Sequence, residues 1–353
     1  MTKLFQPTLK QIQKSNLYAF ENYLARHYKK KFKNYSQLWN WSVKNSGNFW
    51  KSIAEFYKVP LFLKKNSKLV QKSPKFWKTI FFHNFDTNYF YLIEKNNSND
   101  LAIHFIGENN FEEKITYKEL NLRVQALSSY YRSLKIKKGD VIVGYLPNIA
   151  DTIIAFLASA KIGAVWSSCS SDFGFKAVID RFSQLKPKLL IVADHYFYNG
   201  KKFLYSKNIS QIQRKIGNPK ILKTSYPSSL NRSELHKIYK NKIFQQKDKS
   251  ESVDFNHPLY VLFSSGTTGL PKCITHGHGG SLLQHLKELS LHTNVKPKDK
   301  MLFLTTCGWM MWNWTVSNLL LGSSITLYDG SPFYPSKNRV VQIIRKSKSN
   351  ILG

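Results

Sequence analysis

An α/β fold with two parallel-sheet subdomains behind an N-terminal helical cap is what this sequence predicts, on three observations. Short apolar runs alternate with segments of helical spacing over residues 101–193 and again over 259–328. The runs lack the polar–apolar alternation of a half-exposed strand, as expected for strands buried on both faces of a sheet. Residues 1–80 follow a different pattern, polar and aromatic, with Trp39, Trp41, Trp50 and Trp77.

Taken in order, Tyr35 to Tyr57 reads as helix, with Leu38, Trp41 and Trp50 available for a packed face. Residues 1–98 are therefore read as a helical cap over a domain of residues 99–353, and their tryptophans as packing. Leu101 to Phe105 is a short strand. Thr116-Tyr117-Lys118-Glu119 is a capping box, its hydroxyl and carboxylate set to satisfy free N–H groups at a helix start. Leu120, Val124, Leu127 and Tyr131 then repeat at helical spacing. Gly139-Asp140 turns into the strand Val141 to Tyr145. Pro147-Asn148 opens a helix to about Ile162, which Gly163 ends, and Ala164 to Ser168 is the next strand. A helix over Lys176 to Gln184 leads to the apolar strand Leu189 to Ala193.

Residues 200–256 turn Lys-, Asn- and Ser-rich and read as a surface excursion with minor elements. The second unit starts with the strand Leu259 to Phe263, a loop of glycines and hydroxyls, and a helix bearing Leu282, Leu283, Leu286 and Leu289. The strand Met301 to Thr305, the helix Trp314 to Leu321 and the strand Ile325 to Tyr328 follow. The apolar ending Ile351-Leu352-Gly353 after a basic helix reads as an unclosed strand, so the chain is expected to be a portion of a longer one.

A chain of 353 residues with 42% hydrophobic content supports one large domain or two medium ones, and its 14% aromatic content excludes a disordered chain. The formal net charge of +32 would suit a polyanion. Yet lysine is spread along the whole chain beside abundant Asn, Ile, Phe and Tyr, as an AT-rich coding sequence gives, and no basic stripe interleaves with aromatics on one element. No specific nucleic-acid partner is expected; anionic small-molecule substrates are. Cys169, Cys273 and Cys307 are odd in number and far apart, which implies no disulfide framework and fits a reducing compartment. The N-terminus has no apolar signal core, and the apolar stretch Ile149 to Trp166 is interrupted by Asp151 and Lys161, so no membrane span is expected. A cytoplasmic enzyme is the expectation.

The strongest motif is Ser264-Ser265-Gly266-Thr267-Thr268-Gly269-Leu270-Pro271-Lys272. Its glycines let the backbone turn and approach a ligand closely. Its hydroxyls and N–H groups supply donors without charge, and Lys272 adds a mobile positive point. A concave set of donors after a buried strand is a phosphate site. The order differs from the Walker A loop, where Lys directly follows the second glycine.

This nonapeptide closely resembles the phosphate loop of the adenylate-forming ligases, the acyl-CoA synthetase and luciferase superfamily. The text Tyr145-Leu146-Pro147-Asn148-Ile149, Trp166 through Gly174, Leu38 through Val43, and Thr305-Thr306-Cys307-Gly308-Trp309-Met310-Met311-Trp312-Asn313-Trp314 is similar to the branch of that family that acts on acetoacetate. The resemblance spans nearly the whole chain, least surely the lysine-rich excursion. It implies the fold of the family's large N-terminal domain over residues 99–353, incomplete at its C-terminus. It implies ligation of acetoacetate to CoA with ATP cleaved to AMP and pyrophosphate, through an acyl-adenylate, with Mg²⁺ as a further requirement. Two other expectations stand beside it: a ligase for another short acid such as acetate, propionate or butyrate, and an inactive nucleotide-binding or basic nucleic-acid-binding module.

By the same resemblance, Ser264, Ser265, Gly266, Thr267, Thr268, Gly269 and Lys272 would hold the ATP phosphates, with Thr267 and Lys272 catalytic. Trp309, Met310, Met311, Trp312 and Asn313 would line the acyl pocket, Asn313 facing a second carbonyl; the same side chains would equally make a Trp/Met core cluster. Phe173, Gly174, Phe175 and Arg181 fall where relatives contact CoA, and equally describe an ordinary helix start with a surface arginine. The family's magnesium-holding Glu loop, ribose-binding Asp and small lid domain with its lysine are not found in this sequence, and the chain alone is expected not to complete the reaction. Cys273, His276 and His278 form a Cys-x-x-His-x-His cluster, but no second pair of suitable spacing lies nearby and no metal is assigned. His104, His195 and His257 are given no role.

Overall fold

The structure is a computed structural model that describes residues 5–228, 233–246, 248–264 and 269–353, with the side chains of residues 206 and 207 excluded. Among these residues two largely parallel sheets carry the domain. The first has the spatial order Lys220–Thr224, Leu189–Ala193, Val141–Tyr145, Val165–Cys169, Pro258–Ser264, Lys272–Gly277, parallel throughout except for the last, antiparallel strand. The second runs Ile351–Leu352, Lys300–Leu302, Ser324–Asp329, Leu101–Gly107, Glu112–Thr116, again parallel except at its last strand.

Two helices fill the space between. Ala150–Lys161 lies on Val141–Tyr145 and Val165–Cys169, and against Tyr117–Ser133, which rests on Leu101–Gly107 and Glu112–Thr116. Every residue of Ala150–Lys161 except Asp151 is buried, as an all-round apolar helix must be. Its Lys161 is the exception in chemistry: the ammonium donates to Glu94 Oε1 at 2.5 Å and to the Asp248 carbonyl at 2.8 Å, so the buried charge is paired. Gly163 closes the helix at φ +70°.

The strands Val141–Tyr145 and Leu189–Ala193 lie where the apolar runs put them. Several elements differ from expectation. The run Tyr35 to Tyr57 is two helices, Tyr35–Lys44 and Ser46–Phe56, because Asn45 leaves the helical region at φ −120°, ψ 43°. The capping box at Thr116 is half made: its hydroxyl accepts the Glu119 N–H, while the Glu119 carboxylate pairs with Arg123. The excursion at 200–256 contributes a sheet strand, Lys220–Thr224, at the edge of the larger sheet. The glycine loop is followed by the strand Lys272–Gly277 before the helix His278–Leu286, which runs on as a wider turn over Lys287–His292. The strand Met301 to Thr305 is shorter and earlier, Lys300–Leu302, and the next helix starts at Met310 and tightens after Val316.

The N-terminal segment carries the helices Leu9–Gln13, Asn16–His27, Tyr35–Lys44 and Ser46–Phe56, then the hairpin of Phe62–Gln71 with Ile80–Thr87. Phe20, Leu24, Leu38 and Ile53 join the main core, with Trp41 and Trp50 packed on it. Trp39 and Trp77 stay exposed. No helix among the described residues is long and apolar enough to cross a membrane.

Candidate active site

The two sheets meet at the C-terminal ends of their parallel strands, where open α/β sheets bind ligands. Asn148 joins them. Its side chain donates to the Thr305 carbonyl at 3.2 Å and the Tyr328 carbonyl at 3.3 Å, and accepts the Trp312 indole N–H at 3.0 Å. Its backbone N–H donates to Asp329 Oδ1 at 2.8 Å. Asn148, Ser170, Asp172, Thr306 and Asp329 line a cavity of about 350 Å³, walled on another side by aromatics of the hairpin His195–Tyr198/Lys201–Leu204. Burial pushes the Asp329 carboxyl up to about 6, and the nearby carboxylates Glu108 and Asp172 act the same way against the Asn148 N–H. The hydroxyl of Thr306 and the side-chain oxygen of Asn313 are buried with no hydrogen-bond partner, which marks polar capacity held open near this junction.

Of the phosphate loop, Ser265, Gly266, Thr267 and Thr268 lie outside the described residues. Its ends are described. Ser264 closes the strand Pro258–Ser264 and pairs in register with Lys272 on the antiparallel strand Lys272–Gly277. Gly269 has φ +115°, and a Cβ added there would meet nothing within 4 Å, so its need is for backbone conformation.

The segment Trp309 to Asn313 divides. Trp312 and Asn313 are buried, Trp312 packing near Phe156 at 6.0 Å between ring centroids. Trp309 is 58% exposed and Met310 and Met311 are partly exposed. The turn before them is pinned to the larger sheet: Ser168 Oγ donates to the Cys307 carbonyl at 2.6 Å, and Cys307 Sγ to the Leu146 carbonyl at 3.2 Å. Gly308 sits where a Cβ would press on the Phe173 ring at 3.0 Å.

That contact brings the proposed acyl and CoA segments together. Tyr145 donates its hydroxyl to the Phe173 carbonyl at 2.8 Å, and the Arg181 guanidinium lies 4.6 Å from the Phe173 ring centroid while bonding the Ala177 carbonyl. Gly174 caps the helix Phe175–Phe182 with open space around its Cα. Phe173, Gly174 and Phe175 line a second cavity of about 520 Å³ together with Lys202, Phe203 and Tyr205.

The histidines and the Cys-x-x-His-x-His cluster resolve into packing. Strand alternation puts Cys273 and His276 on opposite faces of Lys272–Gly277. His276 stacks on Tyr260, and fully buried His278 accepts the Tyr89 N–H. His104 pairs with Glu112, His195 with Asp194 and His257 with the Gly163 carbonyl. Sequence reasoning gave no role to Asp329, Glu108 or the aromatic hairpin; Asp329 bonds Asn148, and Glu108 bonds the hairpin turn at Asn199 and Gly200, partners more than ninety residues away that local spacing does not encode.

Two parallel-led sheets that meet at the C-terminal ends of their strands define the class as an α/β ligand-binding domain. The sequence profile of the AMP-binding enzyme family matches residues 93–353, and the chain belongs to that family. It is 36% identical over 363 residues to the acetoacetyl-coenzyme A synthetase of Rhizobium meliloti (strain 1021), covering 99% of this chain and 54% of the relative. It is 37% identical over 342 residues to the acetoacetyl-CoA synthetase of Macaca fascicularis, covering 90% and 50%. The solved structure of acetoacetyl-CoA synthetase from Streptomyces lividans superposes with a TM-score of 0.91 at 31% identity, covering all of this chain and 55% of that one. The chain thus spans about half the length of the curated relatives it matches.

Proposed function

We propose that the chain is part of an AMP-forming acid–thiol ligase whose acid is acetoacetate, with residues 1–98 as a helical cap on the nucleotide-binding domain of 99–353. The observation that carries this reading is the junction itself: the Trp309 and Phe173 segments meet through Gly308 against Phe173 where Asn148 ties the two sheets, and Ser264 and Lys272, the described ends of the phosphate loop, pair on the larger sheet. In the reaction a carboxylate oxygen of acetoacetate attacks the α-phosphorus of ATP and the bond to pyrophosphate breaks. The CoA sulfur then attacks the acyl carbon, losing its proton, and AMP leaves.

Ser264 to Thr268, Gly269 and Lys272 would cradle the triphosphate, with Thr267 and Lys272 neutralising charge as pyrophosphate departs. Trp309, Met310 and Met311 would border the acid, Trp312 and Asn313 supporting them from the core. Phe173, Gly174, Phe175 and Arg181 would meet CoA, with the Arg181 plane on an adenine or phosphate. Mg²⁺ would neutralise the triphosphate. Among the described residues no group of three or more His, Cys, Asp or Glu could hold a metal ion. Three cysteines free of disulfides fit a cytoplasmic setting.

The test is calorimetric titration of the chain with ATP, then of Lys272→Ala and Gly269→Val. Both variants should weaken ATP binding by roughly tenfold or more, Lys272→Ala through charge and Gly269→Val because a β-branched residue resists φ +115°. Normal ATP binding in both would remove the phosphate assignment. Saturation transfer NMR with acetoacetate, acetate, propionate and butyrate in the presence of ATP should favour acetoacetate; an acetate preference would move the reading to another short acid.

A further inference from the structure

Among the described residues the hairpin His195–Tyr198/Lys201–Leu204 pairs only with itself and belongs to neither large sheet. An isolated two-stranded ribbon is marginal in water, yet this one is the shared wall of the two cavities: Tyr196 and Phe203, stacked at 5.1 Å, line both. Something outside the ribbon must fix its position.

Glu108 provides that fixing point. It follows the strand Leu101–Gly107 in the other sheet and is 6% exposed. One carboxylate oxygen accepts the Gly200 N–H at 2.7 Å; the other accepts the Asn199 N–H at 3.1 Å and the Ser331 N–H at 2.6 Å. Its own N–H donates to the Asp329 carbonyl at 2.9 Å. Asn199 and Gly200 form the hairpin's turn, both at positive φ, +51° and +76°. Gly200 also abuts the Tyr334 ring, which a Cβ would meet at 2.7 Å. Gly330 has the same constraint toward Glu108, at 2.5 Å from the Glu108 Cβ. One buried carboxylate therefore gathers N–H groups from two segments that have no ladder bonds to each other, and its charge makes each bond stronger than a neutral one.

We propose that Glu108 is a positioning residue, which clasps the hairpin turn to the loop after Asp329 and thereby sets the shape of the cavity on the Phe173 side, where CoA would enter. This rests on the ligase reading above for the identity of that ligand, and on geometry alone for the clasp. Glu108 lines neither cavity itself, so its loss acts through the hairpin it holds.

The experiment is amide hydrogen exchange on the 353-residue chain and on Glu108→Gln, with CoA and ATP titrations of both. Gln keeps the size but turns an NH₂ toward N–H donors. Exchange at Asn199, Gly200 and Ser331 should rise roughly tenfold or more, while the core strand Leu189–Ala193 keeps its protection. CoA affinity should fall by a similar factor with ATP affinity unchanged. Unaltered exchange at the turn, or a rise spread evenly through Leu189–Ala193, would sink the clasp. If Glu108→Gln does not fold, Gly200→Ala, which strains the turn and strikes Tyr334, should give the same local exchange and the same split between CoA and ATP. A wild-type chain that binds no CoA, with the turn still responding to Glu108→Gln, upholds the clasp and overturns the ligand assigned to that cavity.

Discussion

Asp329 shows how one partly buried carboxyl at the cavity wall ties the site to stability. Burial lifts it to about 6 against an ordinary 3.8, so the native state holds this proton to higher pH than the unfolded chain does. Its contribution is most favourable below about pH 4 and is lost as pH rises through about 6; above that the cost of the buried charge is constant. Asn at this position keeps the oxygen that accepts the Asn148 N–H and removes the charge. Asp329→Asn should therefore melt at higher temperature than the wild type at about pH 8, and the gain should close as pH falls toward about 4. Circular dichroism melts of the two proteins across that range measure it. A gain that stays constant on acidification would mean the charge of Asp329 is not its source.

At the scale of elements, the helix Met310–Val316 carries two tryptophan environments. Trp312 is held by packing and by its bond to Asn148, whereas Trp309 precedes the helix in the open. Asn148→Ala strips three side-chain hydrogen bonds and leaves the Trp312 indole N–H buried without a partner, which should cost about 2–4 kcal/mol. Trp312→Gly should cost about 3–5 kcal/mol as a core deletion. Trp309→Gly should change stability by less than about 1 kcal/mol and shift acid preference toward longer chains. Urea unfolding with parallel acid-binding profiles separates the two; a large stability loss at Trp309 with an unchanged profile would put Trp309 in the core. The same contrast explains what the sequence could convey. Strands such as Val141–Tyr145 and Leu189–Ala193 are buried on both faces and announce themselves as apolar runs. The edge strand Lys220–Thr224 puts Lys220 and Lys223 on its exposed positions, and its signal dissolves into the lysine-rich background. The break at Asn45 is a backbone event within a continuous helical pattern. The Asn148–Trp312 bond and the Glu108 clasp join residues that only tertiary packing brings together. The proposed phosphate loop could be named from the sequence because phosphate binding calls on glycines and hydroxyls that lie together in the chain.

For the whole molecule the open issue is the charge. Lys and Arg number 53 against 21 Asp and Glu, and the excess is spread along the whole chain. A dispersed positive surface binds any polyanion by releasing counterions, so its affinity falls steeply with salt in proportion to the phosphates it contacts. A nucleotide held at one loop engages few phosphates and relies on directed N–H and hydroxyl donors. Single-stranded RNA contacting about six lysines should therefore lose roughly a hundredfold or more in affinity between about 50 and 200 mM salt, whereas ATP should lose much less over the same range. Lys272→Ala should weaken ATP binding and leave RNA binding nearly untouched, since one lysine among so many changes the surface field little. Fluorescence anisotropy with labelled RNA and calorimetry with ATP, each at several salt concentrations, read both slopes. If RNA binding instead survived about 200 mM salt and collapsed on Lys272→Ala, the loop after Pro258–Ser264 would be a nucleic-acid contact, and the dispersed lysines would no longer account for the basic character of the chain.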